Sequence, residues 1–503
     1  MSDDYLGDFD MIIDGEERPA LSGARLDIRN PATGNVIATV PAAGTDDVAA
    51  AVAAARTAFE QGPWPRLAIA DRARIMLRFA DLIDENIARI ITLESLNNGR
   101  PIIEMRAQLG RIGDAYRYFA ALALAQRGET VPIGPGYLCY LERAPLGVCA
   151  VITPFNHPFG ILSRGVAPAL ASGNTVVAKP SEITPLSAIE LGKLALQAGI
   201  PKGVLNIIIG TGADAGVPLS IHPDVRKIDF TGGTAAGRAI NVAGASRFIP
   251  VTTELGGKTP VLVFDDAGFE EAVNGVAFGA FIAAGQTCIC GSRLLIQRSI
   301  YPRFVVALTS KINRISIGNP ALATTQMGPV VSASQLDRVR RYVEIATAEG
   351  ATVATGGKAP TLEAPFDRGY FFEPTLLTNV HNGMRCAQEE IFGPVIVAIP
   401  FDDEADAIAQ ANDIPFGLGA AVWTRDVVRA HRVAGAIQSG IVWINDHHRV
   451  GAAMPWGGVK ESGTGKQAGE EGFDGFSTIK SVVVRTVDTG FDWYADTAPA
   501  RLN

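Results

Sequence analysis

The sequence predicts an α/β fold with two parallel-sheet domains, and two alternating patterns along its 503 residues carry that prediction. Between residues 147 and 256, short apolar runs alternate with helical segments such as 185–198, as in consecutive βαβ units. A second alternation of the same kind begins at residue 260 and continues to residue 423. With 47% hydrophobic and 19% charged residues, the composition is that of a folded globular protein.

The elements can be taken in chain order. Residues 11–40 alternate apolar and polar positions between glycines and prolines, which predicts short hairpin strands. An Ala-rich run at 45–61 and apolar residues at helical spacing over 68–97 predict a helical layer. The predicted strands of the two sheets are 148–152, 175–179, 204–209 and 227–230 in the first, and 260–264, 293–297, 393–399 and 419–423 in the second.

Charge and cysteine content exclude several classes of protein. The 44 Lys and Arg against 52 Asp and Glu give a net charge of −8, so no global basic field exists to hold nucleic acid or an anionic membrane. Two charge-poor stretches, Ala144 to Ser163 and Ala272 to Ser292, are interrupted by prolines or diluted by polar residues and glycines, and are interpreted as buried core. Five scattered cysteines and an acidic N-terminus without a signal sequence predict reduced thiols in the cytoplasm.

Three segments contain residues that together suit acyl chemistry. Cys288 follows an uncharged, Gly-containing approach, where an inert buried thiol would be the default interpretation. Glu254 precedes a Gly-Gly turn at the end of a predicted strand, and Asn156 lies between two prolines. A nucleophile, a base and an amide donor are what a reaction through a thioester requires.

Four further strings complete a larger pattern: Lys179-Pro180-Ser181-Glu182, Phe230-Thr231-Gly232-Gly233-Thr234, Glu390-Ile391-Phe392-Gly393-Pro394 and Pro455-Trp456-Gly457-Gly458. Together with the three segments above they resemble the aldehyde dehydrogenase superfamily, in its NAD(P)-dependent, hydrolytic branch, over almost the whole chain. The resemblance implies two Rossmann-like domains and a β-strand oligomerisation arm. The implied boundaries are 1–123 and 145–256 for NAD binding, 257–465 for catalysis, and 124–144 with 475–503 for the arm.

The resemblance also implies the reaction. Cys288 would attack the aldehyde carbon, and the Asn156 amide with the backbone N–H of Cys288 would hold the oxyanion. After hydride transfer to the nicotinamide, Glu254 would activate the water that hydrolyses the thioester to a carboxylic acid. A CoA-acylating enzyme typically lacks that base, and a non-catalytic protein on the same scaffold would have little reason to keep all three residues.

Cofactor binding departs from the Gly-x-Gly-x-x-Gly fingerprint. Gly212 and Gly216 form only a weak Gly-rich loop, whereas Gly233 and Thr234 stand between a strand and a probable helix start, where backbone N–H groups can meet a pyrophosphate. By resemblance Lys179 and Glu182 contact the adenosine ribose, and Glu390 and Phe392 lie at the nicotinamide ribose. Because a carboxylate repels a 2′-phosphate, Glu182 favours NAD over NADP.

Two departures from the family pattern concern proton transfer. Gly165 stands where relatives commonly have Lys, and Gln467 where they commonly have Glu. Both family residues are thought to pass protons from the general base to bulk water. The route here is therefore expected to differ, with Glu254 still essential.

The substrate is left open. Phe155, Arg164, Thr287, His448 and Val450 match positions near the substrate tunnel of the family. Arg164 could be a solvated or ion-paired helix residue, a feature shared with some aromatic-aldehyde dehydrogenases, or a guanidinium that binds the carboxylate of a semialdehyde.

Other features of the sequence give narrower expectations. The adjacent His447 and His448 are a poor metal site because adjacent residues seldom chelate one ion, so no metal is expected. Cys290 is expected to contribute to packing, because a disulfide with Cys288 two residues away would be strained. The β-prone segment after Ser481 and the arm are expected to pair between subunits of a homodimer or homotetramer.

Overall fold

The structure is a computed structural model that describes residues 5–488 and Tyr494. The strands, in chain order, are β1 (Met11–Ile13), β2 (Glu16–Arg18), β3 (Arg25–Arg29), β4 (Val36–Pro41), β5 (Glu129–Val131), β6 (Tyr137–Pro145), β7 (Val148–Ile152), β8 (Thr175–Lys179), β9 (Leu205–Ile207), β10 (Val225–Thr231), β11 (Val251–Glu254), β12 (Pro260–Val263), β13 (Arg293–Gln297), β14 (Thr352–Thr355), β15 (Thr375–Thr378), β16 (Val395–Phe401), β17 (Phe416–Gly417), β18 (Gly419–Trp423), β19 (Ile441–Ile444), β20 (Val459–Lys460), β21 (Gly463–Thr464) and β22 (Ser477–Arg485).

The helices cover the faces of the sheets. In chain order they are α1 (Thr45–Glu60), α2 (Ile69–Glu85), α3 (Ile87–Asn98), α4 (Ile102–Leu109), α5 (Gly113–Ala125), α6 (Pro158–Ala171), α7 (Leu186–Gln197), α8 (Val217–Ile221), α9 (Thr234–Ala245), α10 (Phe269–Phe281), α11 (Tyr301–Ile312), α12 (Ala333–Ala348), α13 (Arg385–Gln388), α14 (Glu404–Asn412), α15 (Val427–Ala436) and α16 (Gly469–Asp474).

The first sheet has eight strands in the order β2-β1-β9-β8-β7-β10-β11-β21. Strands β9, β8, β7, β10 and β11 run parallel, and β1, β2 and β21 add antiparallel edges. All residues of β7 and β8 are buried, as expected for strands covered by helices on both faces. The predicted alternation of strands and helices over 147–256 is confirmed.

The second sheet has seven strands in the order β14-β15-β16-β13-β12-β18-β19. Only β14 is antiparallel to its neighbour. The two apolar cores divide near residue 256, except that Phe473 and Phe476 return to the first core from the end of the chain. The fold class predicted from the sequence, an α/β protein with two such domains, is confirmed.

A third sheet has the order β22-β6-β5, so the last described strand pairs with a strand from the first third of the chain. Within the chain, β22 runs antiparallel to β6, from Ser477 opposite Pro145 to Arg485 opposite Tyr137. β22 is an edge strand of this sheet, and its expected pairing with another subunit stays a prediction. Residues 489–503 of the predicted arm, Tyr494 apart, lie outside the described residues.

The helical layer differs from the prediction at one point. The apolar spacing over 68–97 predicted helical structure without a boundary, and in the structure Asn86 separates α2 from α3. Its side-chain amide donates to the Leu82 carbonyl oxygen and so competes with the helical hydrogen bonds. Within residues 5–488, no helix is both long and apolar enough to cross a membrane.

Candidate active site

Glu254 lies at the end of β11, opposite Thr231 of β10 and Gly463 of β21. It is 2% exposed, and neither carboxylate oxygen has a hydrogen-bond partner among the described residues. A Cβ at Gly457 would lie 2.7 Å from Oε1, so the glycine is what lets the carboxylate pack there. Burial raises the pKa of Glu254 well above its ordinary value, and the positive charges of Arg164 and Lys466 oppose this rise.

Cys288 lies on a tight loop after α10. Ala283 and Ala284 adopt left-handed backbone conformations with φ of 55° and 51°, each at a cost of about 1 kcal/mol or more. At Gly285, φ is 69° and a Cβ would lie 2.2 Å from the Gly393 carbonyl oxygen, so the loop presses directly on its neighbour. Cys288 as a whole residue is partly exposed, whereas its sulfur is buried. Burial of the sulfur raises its pKa to about 12, so the resting thiol keeps its proton.

A buried ion pair fixes this loop. Glu104 on α4 accepts a 2.9 Å hydrogen bond from the Ala283 N–H, and Arg100 Nε donates to the same carboxylate at 3.0 Å. Arg100 Nη1 also donates to the Asn156 carbonyl oxygen at 3.4 Å. One Arg–Glu pair therefore connects the Cys288 loop with the Asn156 loop. The pair was not predicted from the sequence, because Arg100 lies before α4, outside the predicted helical segments and the recognised strings.

Asn156 stands between β7 and α6 and is 2% exposed. The Phe155 carbonyl oxygen beside it accepts hydrogen bonds from Asn98 and, at 3.3 Å, from Thr184. The backbone of Asn156 is thus held on both sides. Its Oδ1 has no hydrogen-bond partner within the described chain. A side chain held this way can present its amide N–H to an anion without first losing another interaction.

Glu390 packs on the Gly-Gly turn that follows Glu254. Its Oε1 accepts a 3.1 Å hydrogen bond from the Gly257 N–H, and a Cβ at Gly256 would lie 2.1 Å from Oε2. Burial raises the Glu390 pKa to about 7. The Phe392 ring meets the Phe155 ring edge-on at 5.6 Å, which joins the second domain to the Asn156 loop.

The predicted cofactor residues of the first domain lie at the carboxyl ends of its parallel strands. Lys179 ends β8, and its ammonium group donates to the Pro180 carbonyl oxygen at 3.1 Å and lies 3.7 Å from Glu182. Its side chain runs 3.6 Å from where a Cβ of Gly216 would stand. Glu182 is only partly buried, so its carboxylate remains open to a ligand.

The start of α9 provides a cradle next to these residues. The helix begins at Thr234, and Gly233 before it carries no side chain to cap the first N–H groups. A Cβ at Gly233, or at Gly212 in the neighbouring loop, would meet nothing within 4 Å. α9 is 12 residues long, and its uncapped N-terminus lies at the carboxyl edge of a parallel sheet. Such a helix start suits a pyrophosphate, so the residues present fit a dinucleotide.

Arg164 on α6 is partly exposed and makes no ion pair within the described chain. Its guanidinium carbon lies 4.7 Å from the centre of the Trp456 ring, and Nη1 donates to Gln467 Oε1 at 3.5 Å. The Gln467 amide in turn donates to Asp229 Oδ1 at 2.5 Å and to Thr231 at 3.3 Å. Of the alternatives raised for Arg164, the ion-paired helix residue is therefore not observed among the described residues.

The same network explains the glycine at position 165. A Cβ there would lie 2.7 Å from Val151 Cγ1 and 3.2 Å from Asp229 Oδ1. The carboxylate of Asp229 and the valine fill the space that a side chain at 165 would need. Asp229, Trp456 and their links to Gln467 were not found from the sequence, because residues 229 and 467 are far apart in the chain.

Comparison with known proteins agrees with this geometry. Residues 19–482 match the model of the aldehyde dehydrogenase family. The chain belongs to this family. It is 41% identical to a betaine aldehyde dehydrogenase of Bacillus subtilis, over 96% of this chain and 99% of that one. It is 38% identical to peroxisomal aminoaldehyde dehydrogenase 2 of Pisum sativum, with 98% of each chain covered.

A solved relative gives the same result in three dimensions. The betaine aldehyde dehydrogenase of Staphylococcus aureus, crystallised in complex with NAD+, superimposes with a TM-score of 0.95 at 40% identity, covering 97% of this chain and 96% of that one. The predicted membership of the aldehyde dehydrogenase superfamily is confirmed, and with it the prediction of an NAD-dependent oxidoreductase.

The remaining predicted substrate positions of this aldehyde dehydrogenase lie around the Cys288 loop. Thr287 is buried directly before the thiol. His448 stacks on His447 and meets the Phe278 ring, whereas Val450 is 56% exposed and makes no described contact with the other site residues. Burial lowers the pKa of His447 to about 4 and that of His448 well below its ordinary value, so both rings are neutral.

His447 has a structural role that the sequence did not indicate. Its Nε2 lies 2.9 Å from the Ile289 carbonyl oxygen, one residue after Cys288. Cβ atoms at Gly279 or Gly291 would lie within 3 Å of its ring, so both glycines make room for it. Among the described residues, no group of three or more His, Cys, Asp or Glu side chains is arranged to hold a metal ion.

Proposed function

We propose that this protein oxidises an aldehyde to a carboxylic acid with NAD+, through a thiohemiacetal and a thioester on Cys288. The observation that carries the proposal is the buried Glu254 carboxylate at the end of β11, whose oxygens have no hydrogen-bond partner among the described residues. A buried carboxylate left unpaired costs stability, which is typical of a residue kept for chemistry.

The acylation half of the reaction uses Cys288 and Asn156. Because burial holds the proton on the thiol, attack on the aldehyde carbon requires that proton to leave. Glu254 is the base that we assign to take it. The new C–S bond turns the carbonyl oxygen into an oxyanion. The Asn156 amide and the Cys288 backbone N–H stabilise it as the charge develops.

The cofactor is held by the cradle at the first domain. Lys179 and Glu182 lie where the adenosine ribose would bind, with Gly212, Gly216, Gly233 and Thr234 around the pyrophosphate and Glu390 and Phe392 near the nicotinamide ribose. The chemistry that NAD+ supplies when bound is acceptance of the hydride. A partly exposed carboxylate at Glu182 favours NAD+ over NADP+, because it would repel a 2′-phosphate.

Hydrolysis of the thioester depends on Glu254. Its carboxylate takes a proton from water as the water oxygen bonds to the acyl carbon, and the C–S bond then breaks to release Cys288 as a thiolate. Water rather than coenzyme A is the acceptor, because Glu254 is present as a base at the end of β11.

The substrate follows from the charge of Arg164. The relatives are named for betaine aldehyde and aminoaldehydes, which carry positive charge, but here a guanidinium lies over the Trp456 ring and opposes a cationic group. We infer an aldehyde without positive charge, with an aromatic aldehyde as first candidate. A carboxylated semialdehyde is the second candidate, favoured by the ability of the same guanidinium to bind a carboxylate.

We also infer the organisation of the protein around this site. Residues 1–123 and 145–256 form the NAD-binding domain and 257–465 the catalytic domain, with 124–144 and 475–503 as an oligomerisation arm. Ile479 and Val483 on β22 are 57% and 56% exposed, which supports a homodimer or homotetramer. Five unpaired cysteines support a reducing compartment, the cytoplasm.

The test is NADH formation by purified protein with benzaldehyde, succinic semialdehyde and betaine aldehyde, beside Cys288→Ala and Arg164→Leu. We expect Cys288-dependent NADH from the first or second aldehyde and little from the third. Arg164→Leu should raise activity with betaine aldehyde and, if a carboxylate is bound, raise KM for the semialdehyde. NAD+ binding without NADH from any aldehyde would contradict the proposed reaction. Unchanged kinetics in Arg164→Leu would contradict the substrate assignment alone.

A further inference from the structure

Glu254 must lose its proton in a site that offers its carboxylate no hydrogen bond. Burial raises its pKa, and the charges around it move that pKa further. Those charges come from three elements: Arg164 from α6, Asp229 from β10, and Lys466 from the segment after β21. Arg164 donates to Gln467, which donates in turn to Thr231, the β10 residue opposite Glu254. The Cys288 thiol and the Trp456 indole complete its surroundings, and the indole N–H lies near the carboxylate without a well-aligned hydrogen bond.

Arg164 and Lys466 are both partly buried, and they differ in what holds them. The Arg164 guanidinium lies over the Trp456 ring and donates to the Gln467 side chain. Gln467 is buried and is itself fixed by Asp229 and Thr231. The Lys466 ammonium group donates to one backbone oxygen, the Gly457 carbonyl, at 2.5 Å.

The charge of Asp229 is balanced from its other side. Lys227, two residues earlier on β10, is buried and donates to Thr252 Oγ1 at 2.8 Å, and its positive charge acts on Asp229. With Lys227 and Asp229 offsetting each other, Arg164 and Lys466 are the cations left to act on Glu254, and Arg164 has the larger effect.

We propose that Arg164, held by Trp456 and by the hydrogen-bonded chain from Gln467 to Asp229, is the fixed counter-charge of the Glu254 carboxylate. Arg164 is then a positioning residue for thioester hydrolysis, independent of any contact with the substrate. The inference rests on the proposed function, because it takes Glu254 as the base. It adds that a residue on α6 sets the pH range over which that base works.

The test uses 4-nitrophenyl acetate, a neutral ester that acylates a thiol and carries no carboxylate for Arg164 to bind. The rate of deacylation after the nitrophenol burst is measured from pH 5 to 9 for the wild type, Arg164→Met, Arg164→Gln and Arg164→Lys. Arg89→Met is the matched control, since Arg89 also pairs with a glutamate, Glu190, but on the outer face of the same domain.

Loss of the positive charge should raise the pKa of Glu254, so the base ionises only at higher pH. We expect the acidic limb of the deacylation profile to move up by about one unit or more in Arg164→Met and Arg164→Gln, a loss of about tenfold in rate on that limb. Arg164→Lys should restore most of the wild-type profile, and Arg89→Met should not change it.

Two results would contradict the proposal that Arg164 is the counter-charge of Glu254. One is a wild-type profile in both neutral variants, and the other is a profile of Arg164→Lys that matches Arg164→Met. Glu254→Gln separates this failure from failure of the proposed function. If Glu254→Gln deacylates as fast as the wild type, Glu254 is not the base. If it does not deacylate and the Arg164 variants behave as the wild type, only the counter-charge is wrong. NAD+ binding and near-UV circular dichroism identify any variant that does not fold. If Arg164→Met or Arg164→Gln does not fold, the other of the two provides the test of a neutral side chain.

Discussion

Asp229 Oδ1 accepts a 2.5 Å hydrogen bond from the side-chain amide of Gln467 in the interior of the first domain. Both side chains are buried, and Gly165 lies against the same carboxylate. The three positions depend on one another. A neutral amide at 467 satisfies an aspartate at 229, and a residue without a side chain at 165 leaves room for it.

Gln467→Glu should destabilise the protein in a pH-dependent way. Two buried carboxyls at hydrogen-bond distance share a proton, so the pKa of one is raised above its unfolded value. The pair costs nothing below that unfolded value and becomes destabilising as pH rises through the range between the unfolded and the folded pKa. We expect the free energy of unfolding to fall by about 1–3 kcal/mol more at pH 8 than at pH 5.

The measurement is chemical denaturation at both pH values, with the exposed Gln438→Glu as control. An equal loss of stability at pH 5 and pH 8 would show that carboxyl coupling is not the cause.

Cys288→Ala should abolish NADH formation, whereas Cys290→Ala should keep it. Cys290 is buried and its thiol donates to the Ala280 carbonyl oxygen at 3.3 Å, so its removal affects packing rather than chemistry. Initial rates with the best aldehyde of the substrate panel distinguish the two. Retained activity in Cys288→Ala, or loss of activity in a folded Cys290→Ala, would contradict the assignment of Cys288 as the nucleophile and of Cys290 to packing.

Asn156→Ala should lower kcat/KM by about 10²- to 10³-fold, since it removes one donor to the oxyanion. NAD+ affinity should stay within about twofold, because Asn156 belongs to the loop fixed by Arg100 and not to the α9 cradle. Steady-state kinetics and NAD+ titration give both values. A loss confined to NAD+ affinity would place Asn156 at the cofactor instead.

Glu182→Gln should improve use of NADP+. The amide still accepts a hydrogen bond from a 2′-hydroxyl but no longer repels a 2′-phosphate, and Lys179 beside it becomes available to that phosphate. We expect kcat/KM for NADP+ to rise about tenfold, with a smaller fall for NAD+. Glu190→Gln, a carboxylate on α7, is the control. An unchanged ratio of the two efficiencies would remove Glu182 from the cofactor contacts.

Sequence patterns predicted the structure correctly where a single local property, such as burial on both faces, determines the residue type. Apolar runs such as Val148–Ile152 became buried parallel strands because their pattern depends only on burial on both faces. Cys288, Glu254 and Asn156 were proposed as a set because each lies in a recognisable string. Glycines at 256 and 457 were part of those strings, although their reason, contact with Glu390 and Glu254, became visible only in the structure.

The buried polar links could not be predicted in this way. The Arg100–Glu104 pair reaches Ala283 across 179 residues, and Gln467 reaches Asp229 across 238. Which way a buried polar side chain points is set by the packing of elements that are distant in sequence. The pairing of β22 with β6 was not predicted for the same reason, since an exposed β-prone strand does not specify which edge it joins within the chain.

The short strand β21 closes the first sheet on Glu254 from a point near the end of the chain. A ribosome that adds about 5–20 residues per second needs about 10–40 s to travel the roughly 200 residues from Glu254 to Gly463. During that time β11 lacks its neighbour β21, and the first core lacks Phe473 and Phe476. The first sheet and its core are therefore complete only after Phe476 has been synthesised, long after the rest of that domain.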